Sequence, residues 1–469
     1  MQTIPISEAL RRLAALFLRE GFSLYAVGGM VRNPLLNYPV SDTDICSAME
    51  PERLMALCAR ENIRQIPKGI SYGTLELHVG GESFEHTTFR ADTYGVGGAH
   101  RPEAVAFSKT PEEDAFRRDF TVNALYYDIS ADRLIDPAGG LRDLENRVIR
   151  ATSADPGDIL RDDGLRILRM VRFAGELGFS VEENTFRAAT ENAEGLRDIS
   201  PERVRGELDK ILLCDVRYRT WAYDPLNDAA ANGSPVLKAL LSLESLGALK
   251  VILPELSSMR GVEQKTSHHR YDVLDHSFHA CACAPAALGL RLAGLLHDTG
   301  KPESVRLQGN MHGHEARSER ISREILTRLR YPNAVTDEVC ALVKHHMYDL
   351  NGDAREFKLR LRFVSMGKEN AQKLIRLREA DVHGSGVLSG PIKTAEKWKT
   401  ILERMDKENV PWSENALDCT GKDIMAWLGL APSPRVGSIK KRLFEHCVRY
   451  PKDNKKEILK KLAGGMNHI

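Results

Sequence analysis

Asp42 and Asp44 stand two apart in the run Pro39-Val40-Ser41-Asp42-Thr43-Asp44-Ile45-Cys46. In a strand, residues two apart project to one face. Two carboxylates on one face can hold divalent cations a few Å apart, an arrangement that activates an attacking hydroxyl and stabilises a leaving pyrophosphate. Hard oxygen ligands of this kind suit magnesium. Upstream, the β-prone stretch 22–27 runs into Gly28-Gly29 and a helix start that carries Arg32. Glycine lets backbone N–H groups approach phosphate, a helix start favours the anion, and arginine adds a charge-assisted bond. A D-x-D or a Gly-Gly pair alone usually marks only a turn. The order strand, Gly-Gly, helix, then D-x-D strand is far more specific.

That order resembles the nucleotidyltransferase superfamily of DNA polymerase β and the tRNA nucleotidyltransferases. The surrounding elements suit an α/β head. Ser7 can cap a helix over 8–20 with an apolar stripe (Ala9, Leu10, Leu13, Leu16, Phe17), and a second helix is predicted over 51–61. Residues 74–79 and 83–89, joined at Gly80-Gly81, read as a hairpin. Glu85 on its second strand is either a third carboxylate near the metals or a salt-bridge partner. From about residue 151 the pattern turns helical. The clearest helix is predicted over 158–177, buried through Ile159, Leu165, Leu168, Val171 and Ala174.

Two further runs narrow the resemblance. Asp114-Ala115-Phe116-Arg117-Arg118-Asp119-Phe120-Thr121-Val122-Asn123-Ala124 is similar to a signature of class II (bacterial-type) tRNA nucleotidyltransferases and their poly(A) polymerase relatives. The resemblance implies that Arg118 binds the triphosphate and that Asp119 and Asn123 lie near the sugar. The structural alternative is Arg118 paired simply to Asp119. The run Asp162-Asp163-Gly164-Leu165-Arg166-Ile167-Leu168-Arg169-Met170-Val171-Arg172 resembles the family's nucleobase-selecting motif. Asp163 and Arg166, three apart on a helix, would share a face. A carboxylate beside a guanidinium complements the amino-plus-ring-nitrogen edge that cytosine and adenine share. The pair would therefore choose CTP and ATP without a nucleic-acid template, with Arg169 and Arg172 as phosphate-contacting and helix-facing arginines. Two positions depart from the family pattern. Asp162 replaces the usual Glu, and Asn33 stands where an Asp commonly follows Arg32.

A second constellation lies in the C-terminal half: His276, the pair His297-Asp298 with Gly300-Lys301 after it, His314, His346 and Asp381. It resembles the HD phosphohydrolase domain, whose ligands bind one or two divalent metals on a helical scaffold. Imidazole plus carboxylate suits manganese, iron, nickel, cobalt or zinc.

Composition fits a multidomain globular enzyme of 469 residues, 42% hydrophobic and 28% charged. The net charge of +1 conceals basic clusters at 161–172, 355–378 and 440–461, a footprint for an RNA backbone. The N-terminus lacks a basic region followed by an apolar core, and no apolar run approaches membrane-spanning length. The eight scattered cysteines suit reduced thiols, so a cytoplasmic protein without membrane contact is expected.

The expected fold is an α+β head with a polymerase β-like mixed sheet (1–150), then an all-α neck (151–255), an HD domain (256–389) and a helical tail (390–469). The tail carries Leu417-Asp418-Cys419-Thr420-Gly421-Lys422-Asp423, similar to the family's tRNA-elbow motif. The resemblance implies addition of the 3′-terminal CCA to tRNA from CTP and ATP. Poly(A) polymerase, CC-adding and A-adding enzymes are the near alternatives. Pro67-Lys68-Gly69-Ile70 stands where the poly(A) branch would carry Gly-Arg-Arg-Phe. An HD phosphohydrolase with an RNA-binding N-terminal half is the alternative from another class. A glycine-rich loop over 90–102 is expected in enzymes that add all three nucleotides, and residues 227–235 read as a flexible connection.

Overall fold

The computed structural model describes residues 4–40, 43–93, 104–219, 224, 231–264 and 268–466. Asp42, most of the glycine-rich loop and residues 227–230 of the 227–235 connection lie outside the described residues. The chain divides into two compact units, one comprising 1–222 with 234–257 and the other 223–233 with 258–469.

The first unit begins with α1 (Glu8–Arg19), where the Ser7 hydroxyl accepts from Leu10 N at 3.2 Å. Leu10, Leu13 and Phe17 are fully buried, each worth about 1.5–3 kcal/mol of apolar transfer. Then come β1 (Tyr25–Val27), α2 (Gly29–Leu35), β2 (Asp44–Ser47), α3 (Pro51–Arg60), β3 (Arg64–Gly69), β4 (Thr74–Val79) and β5 (Glu82–Thr88). Next are β6 (Arg90–Thr93), β7 (Ala104–Phe107), α4 (Pro111–Ala115), β8 (Tyr126–Asp128) and β9 (Arg133–Ile135). A seven-stranded sheet has the order β3-β4-β5-β2-β1-β8-β9. It is mixed, because β2 runs parallel to β5 while the other neighbours are antiparallel. The segment expected as open loop after residue 89 contains a separate hairpin, β6 paired to β7 from Arg90↔Phe107 to Thr93↔Ala104.

Helices follow: α5 (Gly140–Asn146), α6 (Pro156–Asp162), α7 (Leu165–Leu177), α8 (Glu183–Glu191), α9 (Pro201–Leu212), α10 (Cys214–Arg217), α11 (Pro235–Ser245), α12 (Ala248–Ile252) and α13 (Pro254–Ser257). The single helix predicted over 158–177 is two helices. Asp163 is extended (φ −147°, ψ 102°) and ends α6, and Gly164 precedes α7. A Cβ on Gly164 would lie 2.8 Å from the Gly195 carbonyl oxygen, so close backbone packing sets the joint. Gly164→Ala should therefore cost about 1–3 kcal/mol through overpacking, read as a lower melting temperature. An unchanged melting temperature would show that the joint has room.

The second unit is helical: α14 (Val273–Cys283), α15 (Leu288–Leu296), α16 (Lys301–Gln308), α17 (His314–Arg328), α18 (Asn333–His345), α19 (Glu356–Met366), α20 (Lys368–Gly384), α21 (Lys393–Lys407), α22 (Gly421–Leu428), α23 (Pro434–Arg449) and α24 (Lys456–Met466). Gly384 lets α20 approach α14, since a Cβ there would lie 2.5 Å from Ala280 N. A capping box between Thr420 and Asp423 starts α22, and Gly429 ends it in the left-handed conformation. All eight cysteines are buried and none forms a disulfide. Among the described residues no helix is long and apolar enough to cross a membrane.

Candidate functional site

The first unit holds a cavity of about 450 Å³. Its walls include every described residue expected in the nucleotide site: Gly28, Gly29, Arg32, Asp44, Arg118, Asp119, Asn123, Asp163, Arg166, Arg169 and Arg172. Strand β1 delivers Gly28, whose φ of +63° turns the chain into α2. A Cβ on Gly28 would lie 3.9 Å from Asp44 Oδ2, so the glycine turn and the carboxylate are neighbours. Asp44 opens β2 with its side chain exposed, and its register partner across the parallel pair is Glu85, also exposed. The two carboxylates therefore emerge side by side on adjacent strands, a hard-oxygen set that fits a magnesium-type cation.

Arg32 is buried, and its guanidinium donates to Asn123 Oδ1 and to Asn33 Oδ1. Asn123 Nδ2 in turn donates to Asp119 Oδ1 at 3.0 Å. Burial works against ionisation of Asp119, but Arg169 at 2.6 Å and the Asn123 amide outweigh it and hold the carboxyl at about 2. Arg118 is not paired to Asp119. Arg118 instead reaches back four residues, past the end of α4, to Asp114 Oδ2 at 3.0 Å. It also meets the Tyr126 hydroxyl at 2.9 Å, which itself donates to Asp114 at 2.8 Å. This mesh fixes the guanidinium at the cavity wall.

Because the helix breaks at Asp163, Asp163 and Arg166 do not share a helical face as expected. They meet at one cavity from two helices. Asp163 Oδ1 accepts from Leu165 N at 3.1 Å, and its Oδ2 accepts from Arg203 at 2.6 Å. Arg166 donates to the carbonyls of Ile159 at 3.0 Å and Arg117 at 2.8 Å. Arg172 is buried between Glu207 at 2.6 Å and Glu176 at 3.2 Å, over the Phe173 ring. Sequence reasoning missed Arg117, Arg203, Lys210 and Arg217, which also line the cavity. The only signal was Arg203 and Lys210, seven apart on one face of α9. The cavity has nine basic side chains against four acidic ones, so it favours a polyanion.

In the second unit, all six expected HD residues converge. His276 lies on α14, His297-Asp298 at the end of α15, His314 at the start of α17, His346 at the end of α18 and Asp381 on α20. Two groups, His276–His297–Asp298 and Asp298–His314–His346, each bring ligand atoms within 4.8 Å of one another, and they share Asp298. Asp381 Oδ1 lies 3.1 Å from His276 Nε2 and 3.5 Å from His297 Nε2. The Nδ1 atoms of His297, His314 and His346 face the carbonyls of Gly294, Met311 and Val343 at 2.8, 2.8 and 2.6 Å. Those bonds turn each Nε2 inward, as a metal site requires. Asp298 Oδ1 is buried and lies 3.0 Å from His314 Nε2 without a well-aligned hydrogen bond, which fits a cation in the cluster. Lys301, to which sequence reasoning gave no role, sits 2.6 Å from Asp298 Oδ2. Burial opposes the charge on Asp298, yet His297 and Lys301 keep its carboxyl well below the usual range.

Comparison with known proteins covers the parts of the chain that carry both sites. Residues 24–150 match the poly A polymerase head domain, 178–222 the probable RNA and SrmB-binding site of polymerase A, and 275–382 the HD domain. The chain is 34% identical to an A-adding tRNA nucleotidyltransferase of Deinococcus radiodurans, over 78% of this chain and 82% of that protein. It is 30% identical to a CCA-adding enzyme of Geobacillus stearothermophilus, over 97% and 95%. Its fold is similar to the crystal structure of Bacillus stearothermophilus CCA-adding enzyme in complex with CTP, with a TM-score of 0.72 and 26% identity over 98% of this chain and 97% of that one.

Proposed function

The chain belongs to the family of CCA-adding and A-adding tRNA nucleotidyltransferases, and on that premise we propose that it adds C, C and A to the tRNA 3′ end from CTP and ATP. The observation that carries the reading is the convergence, in one basic cavity, of Asp44 with Arg118, Asp163 and Arg166. Asp42 and Asp44 would hold magnesium, and a divalent ion there supplies the charge that activates the attacking hydroxyl and stabilises the leaving pyrophosphate. The chain's own groups do the rest. Gly28 and Gly29 bring backbone N–H groups to the phosphates. Arg32 and Arg118, each locked by neighbours, meet the triphosphate's charge. Asp119 and Asn123 face the sugar. Positioning and electrostatics of this kind supply most of the rate. The basic helices of the tail would touch the tRNA body, and a tRNA substrate would place the protein in the cytoplasm.

Incubation with tRNA lacking its 3′ end and each labelled NTP tests the reading. Extension by CCA with CTP and ATP is expected. Addition of A alone to tRNA ending in CC would make this an A-adding enzyme, and no incorporation would overturn the proposal.

Base choice is assigned to Asp163 and Arg166. Asp163→Ala and Arg166→Ala should each lower selectivity for CTP and ATP over UTP and GTP by about 1–3 kcal/mol, the worth of one paired contact. Unchanged kcat/KM ratios in both variants would move base choice elsewhere.

The HD cluster supports a second activity, hydrolysis of phosphoesters with manganese, nickel or cobalt as the cation. The donor set of four imidazoles and two carboxylates favours such metals over magnesium.

A further inference from the structure

Asn33 is fully buried, and its amide joins three parts of the nucleotide site. Oδ1 accepts from Arg32, with Nε at 3.2 Å and Nη2 at 2.9 Å, and from the Tyr218 hydroxyl at 3.3 Å. Nδ2 donates to the Pro39 carbonyl at 3.1 Å. The partners dictate this orientation. A guanidinium only donates and a carbonyl only accepts, so the flipped amide would lose bonds on both sides.

Pro39 belongs to the segment that leads from α2 to β2 and Asp44. A second, independent contact holds the same segment. Tyr38 lies flat on Tyr218, with ring centroids 4.5 Å apart and planes 6° from parallel. Tyr218 follows α10, far along the chain, and is itself buried. Stacked aromatics of this kind hold their two chain segments together beyond what their buried area alone supplies.

We propose that Asn33 and Tyr218 are positioning residues that fasten the approach to Asp44 onto the helical part of the unit. One amide then sets both the phosphate-side Arg32 and the metal-side strand. Neither residue need touch substrate, because each acts through Arg32 and Asp44. The inference rests on the nucleotidyl-transfer reading above. It also says why an amide serves at position 33. A carboxylate could accept from Arg32 and Tyr218 but would set an oxygen against the Pro39 carbonyl.

The test separates the metal side from the phosphate side without relying on turnover. Calorimetry of CTP binding to the full chain, in Mg2+ and again in EDTA, gives the factor by which the metal tightens CTP. Asn33→Asp keeps the acceptor for Arg32 and loses the tie to Pro39. It should leave metal-free CTP affinity within about threefold while the Mg2+-dependent factor falls about tenfold. Tyr218→Ala should lower the same factor, and Tyr218→Phe, which keeps the stack, should lower it less. An unchanged factor in Asn33→Asp and Tyr218→Ala overturns the proposal. So does a loss of metal-free affinity alone, since Asn33 would then serve only Arg32. If Asn33→Asp does not fold, Tyr218→Ala decides between the same outcomes. Wild-type protein that binds CTP with Mg2+ yet extends no tRNA would instead refute the nucleotidyl-transfer reading.

Discussion

Asp44→Ala is expected to lower nucleotide addition by at least about 10³-fold, roughly 4 kcal/mol of transition-state stabilisation. The side chain opens β2 beside the Gly28 turn, with Glu85 as its register partner. On the proposed reading, alanine removes an oxygen ligand at the point where charge develops. The affinity for tRNA should stay within about threefold, because contacts to an RNA backbone come from lysines and arginines and scale with their number. Filter binding and single-turnover kinetics on the same preparations check both halves. Transfer within tenfold of wild type in Asp44→Ala would remove Asp44 from the centre of the reaction.

Asp298→Ala should abolish phosphoester hydrolysis and empty the HD cluster of metal, while nucleotide addition stays within about twofold. Asp298 is the one residue common to both ligand groups. Its Oδ1 lies 3.0 Å from His314, and its Oδ2 lies 3.2 Å from His297. His297→Ala, by contrast, leaves the Asp298–His314–His346 group whole and should retain part of the bound metal. Elemental analysis of the purified proteins reads that difference. Removing Asp298 also leaves Lys301, itself buried, without its carboxylate. Breaking a buried pair on one side costs about 3–5 kcal/mol, so the variant should melt earlier than His297→Ala. Wild-type protein inert towards 2′,3′-cyclic phosphates and simple phosphodiesters with manganese, nickel and cobalt would make the cluster structural.

The residues of both sites were legible where chemistry constrains type and local order together. The glycine pair after a strand, the adjacent His-Asp, and the arginine-rich run each need particular residues at particular spacings. What tertiary packing decides was not legible. The apolar period through Ile159, Leu165, Leu168 and Val171 passes unbroken across Asp163, so the run reads as one helix. Only contact with the Gly195 backbone, remote in the sequence, shows why Gly164 is a joint. Arg203, Lys210 and Arg217 look like ordinary charges of a solvated helix until α9 and α10 are set against α7. The structural alternative for Arg118 named the residue beside it, whereas the structure pairs it with the carboxylate of Asp114, four back and at the end of α4. The hairpin of β6 and β7 escaped notice because each strand has only four residues.

The buried, unbridged thiols give the chain a built-in reporter of partial opening. Cys46, Cys58 and Cys214 belong to the first unit, and Cys281, Cys283, Cys340, Cys419 and Cys447 to the second. Burial raises the Cys46 and Cys58 thiols above their ordinary values, and does the same for Cys340 and Cys447. A protonated, enclosed thiol is a poor nucleophile, so alkylation of each must await opening of its own surroundings. Pulsed alkylation along a denaturant gradient, read peptide by peptide, would therefore show whether the two units lose structure together or in sequence, with no dye or engineered cysteine added.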